Sequence, residues 1–150
     1  MKSILIVLVF PFLLNAQEKN TPVDFSDWHT DYNIAIDRSK DNGKNLLVYF
    51  TGSDWCGPCI KLKKDLFKTD EFITISKEFN MLYIDIPRKK NILSGDQLKH
   101  NMALLPKLNK KGVFPHFTVL NSNEDILDEF SGYNMDGEIG SHLAFLEKNK

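Results

Sequence analysis

The stretch from Leu46 to Leu66 reads LLVYFTGSDWCGPCIKLKKDL and contains three segments of different character. Its first five residues are Leu, Val and aromatic side chains without polar alternation, which is typical of a strand covered on both faces in the middle of a sheet. From Cys59 onward, apolar residues recur at three- and four-residue spacing between lysines, which predicts an amphipathic helix. The segment DWCGPC therefore lies where a central strand passes into a helix.

Both cysteines of the chain, Cys56 and Cys59, lie at this junction. The first turn of a helix offers unpaired N–H groups and the positive end of the helix dipole, which stabilise a thiolate. We therefore expect the Cys56 thiol to ionise more readily than a free thiol. Cys59 follows one helical turn later on the same face, so its sulfur can reach that of Cys56, and Pro58 suits a first-turn position. The pattern predicts a small, reversible disulfide ring.

Three other interpretations of the cysteine pair stay open on spacing alone. The first is a structural disulfide, although such bonds usually join distant segments and thereby remove more entropy from the unfolded chain. The second is a zinc site, which needs four ligands, whereas the histidines at 29, 100, 116 and 142 are isolated. The third is a chance neighbourhood of two buried thiols. We expect redox chemistry and no metal.

The first sixteen residues, MKSILIVLVFPFLLNA, have the pattern of a secretory signal peptide. Lys2 precedes an apolar run that is too short to cross a membrane and is broken by Pro11. We expect cleavage after Ala16, which divides the chain into a signal peptide, 1–16, and a mature part, 17–150; a retained anchor and a buried apolar segment are the alternatives. Export leads to an oxidising compartment. We expect this compartment to be a bacterial periplasm, with secretion as the alternative.

The composition excludes some classes of partner. The chain has 150 residues, a formal net charge of −1 and a pI near 6.4, so it has no basic field that would attract nucleic acid. No internal repeat or linker divides residues 17–150, which predicts a single domain. We expect a monomer that needs no cofactor.

Hydrophobic periodicity and turn residues predict further helices and strands outside the central stretch. Gly43 stands where a left-handed cap would end a helix, and Pro87 ends a strand. The predicted helices are 31–42, about 70–78, a patch at 102–108 and about 136–147, and the predicted strands are 81–86, 117–120 and 126–130. Strands separated by helices, followed by a hairpin and a closing helix, form an α/β sandwich.

The motif WCGPC at 55–59, in this strand-to-helix setting, resembles the active site of the thioredoxin superfamily. The preceding loop FTGSD at 50–54 is similar to that of a small exported branch. The resemblance implies a thioredoxin-like fold, with a central mixed β-sheet flanked by helices on both faces. It also implies that Cys56 attacks a disulfide and that Cys59 resolves the intermediate. The supporting residues it implies are Trp55, Gly57 and Pro58.

Pro115 occupies the place of a second feature of the superfamily, a cis proline that faces the cysteines. The resemblance implies a cis Phe114–Pro115 bond, although an X–Pro bond is cis in only about 5% of cases in folded proteins. In such folds the residue before the proline offers its backbone N–H and C=O to an extended client segment. Phe114 holds that position here, and a plain core aromatic is the alternative interpretation.

The chain departs from the superfamily at the positions that usually help to deprotonate the second cysteine. Tyr49 and Met81 stand in the places of a buried Asp and a Lys. Asp54 or a water could accept the proton instead, although a solvated loop is the more ordinary setting for Asp54. The cluster 88–90 is either a partner-facing surface or an exposed loop, and His116 either tunes the thiolate or packs in its strand.

These features predict a thiol–disulfide oxidoreductase that acts on protein disulfides. Because the Gly57–Pro58 pair is similar to that of reducing members, we expect a reductase. Its electrons would come from a donor protein, and we expect that donor to be a membrane-bound relay. An oxidase or an isomerase is the main alternative. A Cu(I)-delivery module that uses both cysteines and His116 is an alternative from a different class.

Overall fold

A computed structural model of the chain describes residues 25–150. The expected signal peptide and the expected start of the mature chain lie outside the described residues. The described part forms helices and strands in alternation, with no helix long and apolar enough to span a membrane. In chain order the elements are α1 Tyr32–Asn42, β1 Leu46–Thr51, α2 Gly57–Asp65, α3 Asp70–Ser76, β2 Asn80–Asp85, α4 Gly95–Leu108, β3 His116–Leu120, β4 Ile126–Ser131 and α5 Gly140–Asn149.

The strands form one mixed sheet in the order β2-β1-β3-β4. β1 runs parallel to β2 and antiparallel to β3, and β3 pairs antiparallel with β4. Every residue of β1 is buried, because strands lie along both of its edges and helices cover both of its faces. The continuous apolar run at the start of the central stretch therefore predicted this strand correctly.

Helices cover both faces of the sheet, which confirms the expected α/β architecture. α1 and α4 pack on one face, where Ala35 and Leu104 share a buried cluster with Val48 of β1. α2, α3 and α5 pack on the other face, where Leu62 and Leu146 share a cluster with Tyr49. Since successive residues of a strand face opposite sides, Val48 and Tyr49 belong to two separate cores, and the second borders the helix that carries the cysteines.

α4 is longer than the sequence predicted. The helix begins at Gly95 and is capped by the Ser94 side chain, whereas the hydrophobic pattern indicated a patch at 102–108. The first half of α4 is mostly polar, and side-chain hydrogen bonds hold it in place. The buried Asn101, for example, donates to the carbonyl oxygen of Asp85 at 2.8 Å. Hydrophobic periodicity misses a helical turn that is held in this way.

α5 begins later than predicted, at Gly140. Met135 and Gly137 have positive φ angles, which the interior of an α-helix does not accept. The loop that they form is tied to α2, because the Tyr133 hydroxyl donates to the Asp65 carboxylate and accepts the Gly137 N–H at 3.0 Å. This tie holds the loop against the last residue of α2.

Gly52 lets the indole of Trp55 pack directly on the backbone that leaves β1. A Cβ at position 52 would lie 2.4 Å from Trp55 Cε2. The indole is also held by its Nε1, which donates to the Ile86 carbonyl at 2.7 Å, and by the Arg88 guanidinium, 4.4 Å from the ring centre. The glycine thus fixes the residue that precedes Cys56.

Gly52→Ala should displace Trp55 and lower the free energy of unfolding by about 1–3 kcal/mol, as overpacking of a close contact does. Gly95→Ala is the matched control, because a Cβ there meets nothing within 4 Å, and it should change the free energy by less than about 1 kcal/mol. Urea unfolding of both variants measures the difference. A wild-type free energy for Gly52→Ala would show that the close packing of Trp55 does not depend on this glycine.

His142 of α5 is buried among aromatic rings and has one unpartnered nitrogen. Its Nε2 lies 3.1 Å from the Gly132 carbonyl, whereas Nδ1 has no hydrogen-bond partner within the described part of the chain. Burial lowers the pKa of His142 below its ordinary value of 6.5, although the Gly132 carbonyl opposes the shift. A proton on Nδ1 would create a buried N–H without an acceptor.

Acidification should therefore destabilise the fold. Below about pH 6.5 the unfolded chain binds more protons at this histidine than the folded chain, so the free energy of unfolding falls as the pH falls and is constant above that value. His142→Gln keeps a donor for the Gly132 carbonyl but does not titrate. Melting temperatures between about pH 5 and pH 8 should show a shallower acid slope for this variant. Equal slopes for the two proteins would contradict this role of His142.

Candidate active site

Cys56 and Cys59 form a disulfide at the start of α2. Cys56 has an extended backbone and is the N-cap of the helix, with its Sγ accepting the Cys59 N–H at 3.2 Å. Gly57 and Pro58 occupy the first helical positions, so the missing N–H of the proline costs no hydrogen bond. Both cysteines are buried: 4% of the surface of Cys56 and 1% of that of Cys59 is exposed to solvent. The predicted junction between strand and helix thus holds the two sulfurs together.

Trp55 links this disulfide to the loop that precedes β3. Its ring lies edge-to-face with Phe114, 5.4 Å between centres. The Phe114–Pro115 peptide bond is cis, and the Pro115 carbonyl accepts the Gly132 N–H at 2.8 Å, which ties this loop to the end of β4. The structure therefore places Trp55, Phe114 and Pro115 in one continuous group of contacts.

Asp54 anchors the basic loop after β2. Its two carboxylate oxygens accept the backbone N–H groups of Arg88 and Lys89, each at 2.9 Å. Desolvation raises the pKa of Asp54, but these hydrogen bonds and the Lys89 charge outweigh it and hold the pKa below 3.8. The carboxylate is thus used by the loop, in agreement with the interpretation of Asp54 as a loop residue.

His116 is a packed strand histidine. Its Nδ1 lies 2.6 Å from Ser131 Oγ, and its Nε2 lies 3.0 Å from the Leu108 carbonyl at the end of α4. Burial lowers the pKa of His116, although the Leu108 carbonyl and Glu129 oppose the shift. Because these contacts are on the α1–α4 face and the cysteine helix lies on the other, the structure gives no support to a ligand set of two cysteines and His116.

Position 49 holds a tyrosine in place of the superfamily's Asp, as the sequence indicated, but its neighbour on β2 is not the Met81 that was expected. In the register of β1 with β2, Tyr49 pairs with Tyr83, whereas Met81 pairs with Leu47. Burial raises the pKa of Tyr49 and of Tyr83, and the charge of Asp85 adds to both shifts. These phenols therefore stay protonated near neutral pH.

A cavity next to Cys59 is lined by polar residues, among which Thr51, Ser53 and Lys63 were not predicted as site residues. Tyr49, Thr51 and Ser53 line it from β1 and the loop that follows, and Lys63 of α2 lines it from the opposite side. The available signals were the period of two along β1, which places those three side chains on one face, and the four-residue spacing from Cys59 to Lys63. Neither signal by itself indicates a function, so the sequence does not predict this group of residues.

Comparison with known proteins identifies the family. The family model described as thioredoxin-like matches residues 27–122. The thioredoxin-related protein DsbJ of Chlamydia pneumoniae is 31% identical over an alignment of 147 residues that covers 95% of this chain and 39% of DsbJ. The disulfide bond reductase DsbH of the same organism is 29% identical over 120 residues, 79% of this chain and 68% of DsbH. The chain thus spans well under half the length of DsbJ.

Solved structures agree with this result. A DsbH oxidoreductase has a TM-score of 0.69 and 25% identity, with 81% of this chain and 82% of that chain covered. A disulphide isomerase from Xylella fastidiosa Temecula1 has a TM-score of 0.58 at 20% identity, with 77% and 86% covered, and supports the fold alone. On the family model, the sheet order and the Cys56–Cys59 pair at the start of α2, the chain belongs to the thioredoxin-like family.

Proposed function

We propose that the chain is a thiol–disulfide oxidoreductase that reduces protein disulfides through a Cys56/Cys59 dithiol–disulfide cycle. The observation that carries the proposal is the position of Cys56 Sγ at the start of α2, where it accepts the Cys59 N–H. Negative charge on sulfur is stabilised at a helix N-terminus. The similarity over 79% of the chain to a protein named a disulfide bond reductase supports the same chemistry.

The reaction has two thiol–disulfide exchanges. The Cys56 thiolate attacks one sulfur of a client disulfide and forms a mixed disulfide, while the other client sulfur leaves as a thiolate. The Cys59 thiolate then attacks Cys56 Sγ, and the second client sulfur leaves. The client is reduced and the chain ends in the disulfide form that the structure contains.

The client would lie against the residues around the motif. Trp55 and Phe114 form an aromatic edge beside the disulfide, and the Phe114 backbone would pair with an extended client segment, as in strand addition. Pro115 follows directly, and Gly57 and Pro58, at the first positions of α2, are the other residues of the proposed client-contacting group. Met135 borders the same place, since its Sδ would lie 4.0 Å from a Cβ at position 57.

The proposed location and partners follow from the sequence. The leader at 1–16 supports export to a periplasm, with residues 17–150 as the mature, monomeric domain. In an oxidising compartment a reductase needs a supply of electrons, so we include a membrane-bound electron-donor protein in the proposal. Oxidase and isomerase activity use the same two cysteines and differ from reduction in the potential of the pair.

The reduction potential tests the direction of the reaction. Equilibration of the mature protein in graded glutathione buffers, with the oxidised and reduced forms separated after acid quenching, should give a value of about −270 mV. A Cys56→Ser, Cys59→Ser double variant is the control and should show no redox transition. A potential above about −150 mV would contradict the reductase and favour an oxidase.

A further inference from the structure

The cavity behind Cys59 has a volume of about 530 Å³ and is large enough for water. It lies on the side of α2 that faces the sheet, next to the sulfur that must lose a proton before the second exchange. Its lining is rich in hydroxyl groups and lysines. The lining residues used below are Tyr49, Ser53, Cys59, Lys63 and Tyr83.

Ser53 connects this cavity to a buried carboxylate that the mechanism has not used. The Ser53 backbone N–H and hydroxyl donate to the two oxygens of Asp85, at 2.9 and 2.5 Å. Asp85 ends β2 and is 3% exposed. Within residues 25–150 it forms no salt bridge. Ser53 itself is exposed, so it borders both the carboxylate and solvent.

The titratable groups that face Asp85 are Lys63 from α2, Tyr49 from β1 and Tyr83 from β2. The two phenols keep their protons near neutral pH, because burial raises the pKa of each, so neither takes a proton from a thiol. Burial lowers the pKa of Lys63, and the charge of Asp85 opposes that shift. Among these groups, Asp85 is the carboxylate that Ser53 links to the cavity.

We infer that Asp85, acting through the Ser53 hydroxyl and water in the cavity, accepts the proton of Cys59 in the second exchange. The inference rests on the proposed function and replaces the acceptor that Tyr49 cannot provide. The Cys59 S–H bond breaks and its proton passes along the hydroxyl and water to the Asp85 carboxylate. The electron pair left on Cys59 Sγ forms the bond to Cys56 Sγ, and the bond from Cys56 to the client breaks, with the client leaving as a thiolate.

The test separates the two exchanges in the mature protein. Reduced protein is mixed with a peptide disulfide, quenched with acid at intervals, and the mixed disulfide is followed by mass. Asp85→Asn keeps an oxygen to accept the Ser53 N–H but is not a base, and near neutral pH its mixed disulfide should decay about 10²-fold more slowly. The difference should shrink above about pH 8.5, where a thiol ionises without help. Formation of the mixed disulfide should keep its wild-type rate.

Two further variants make the result specific. Ser53→Ala should slow the same step with the same pH dependence, and it decides the question if Asp85→Asn fails to fold. Asp54→Asn removes a carboxylate from the same loop whose hydrogen bonds go to the Arg88 and Lys89 N–H groups, and it should leave the pH profile of the second step unchanged. A purely structural role of Asp85 would lower the melting temperature of Asp85→Asn without changing that profile.

Wild-type pH profiles for the second step in both Asp85→Asn and Ser53→Ala would overturn the inference. Failure of the proposed function gives a different result. In that case Cys59→Ser, which cannot resolve the intermediate, would form no mixed disulfide with the peptide at Cys56. The proposed role of Asp85 would then be wrong as well. Accumulation of that mixed disulfide, together with slow resolution in Asp85→Asn, supports both.

Discussion

The structure depends on the contact between one sulfur and the first turn of one helix. Cys56 Sγ accepts the Cys59 N–H at the start of α2, so the group that the chemistry needs as an anion lies where unpaired N–H groups and the helix dipole favour negative charge. Gly57 and Pro58 fill the first positions of the helix. The fold fixes where α2 begins, and this decides the chemistry.

The surrounding elements position that contact from several sides. β1 is buried on both faces and leads to the start of α2. Gly52 leaves room for the indole of Trp55 to pack on the connecting loop. Trp55 contacts Phe114 before the cis peptide bond, and the Tyr133–Asp65 hydrogen bond ties the loop before α5 to α2. These contacts join different elements around the cysteine pair, so the site is assembled from segments far apart in sequence.

The parts of the fold that the sequence predicted are those in which apolar residues make the contacts. β1 and α2 were predicted because LLVYF is continuous and because Leu62 and Leu66 recur at helical spacing. The first half of α4 was missed because Asn101 is held by a hydrogen bond, and the start of α5 was misplaced because Gly137, inside the predicted helix, has a positive φ. Likewise Asp85 lies close to Ser53 because the register of β1 with β2 pairs Asp85 with Thr51, two residues before Ser53, and local sequence does not reveal that register.

The ionisation of Cys56 in the reduced protein tests the central claim most directly. Alkylation by iodoacetamide across a range of pH, with the modified cysteine identified by peptide mass, gives the pH at which each thiol becomes reactive. The account predicts that Cys56 reacts at half its maximal rate well below about pH 8.5, the midpoint of a free thiol, and that Cys59, at 1% exposure, reacts more slowly. A Cys56 midpoint equal to that of a free thiol would contradict it.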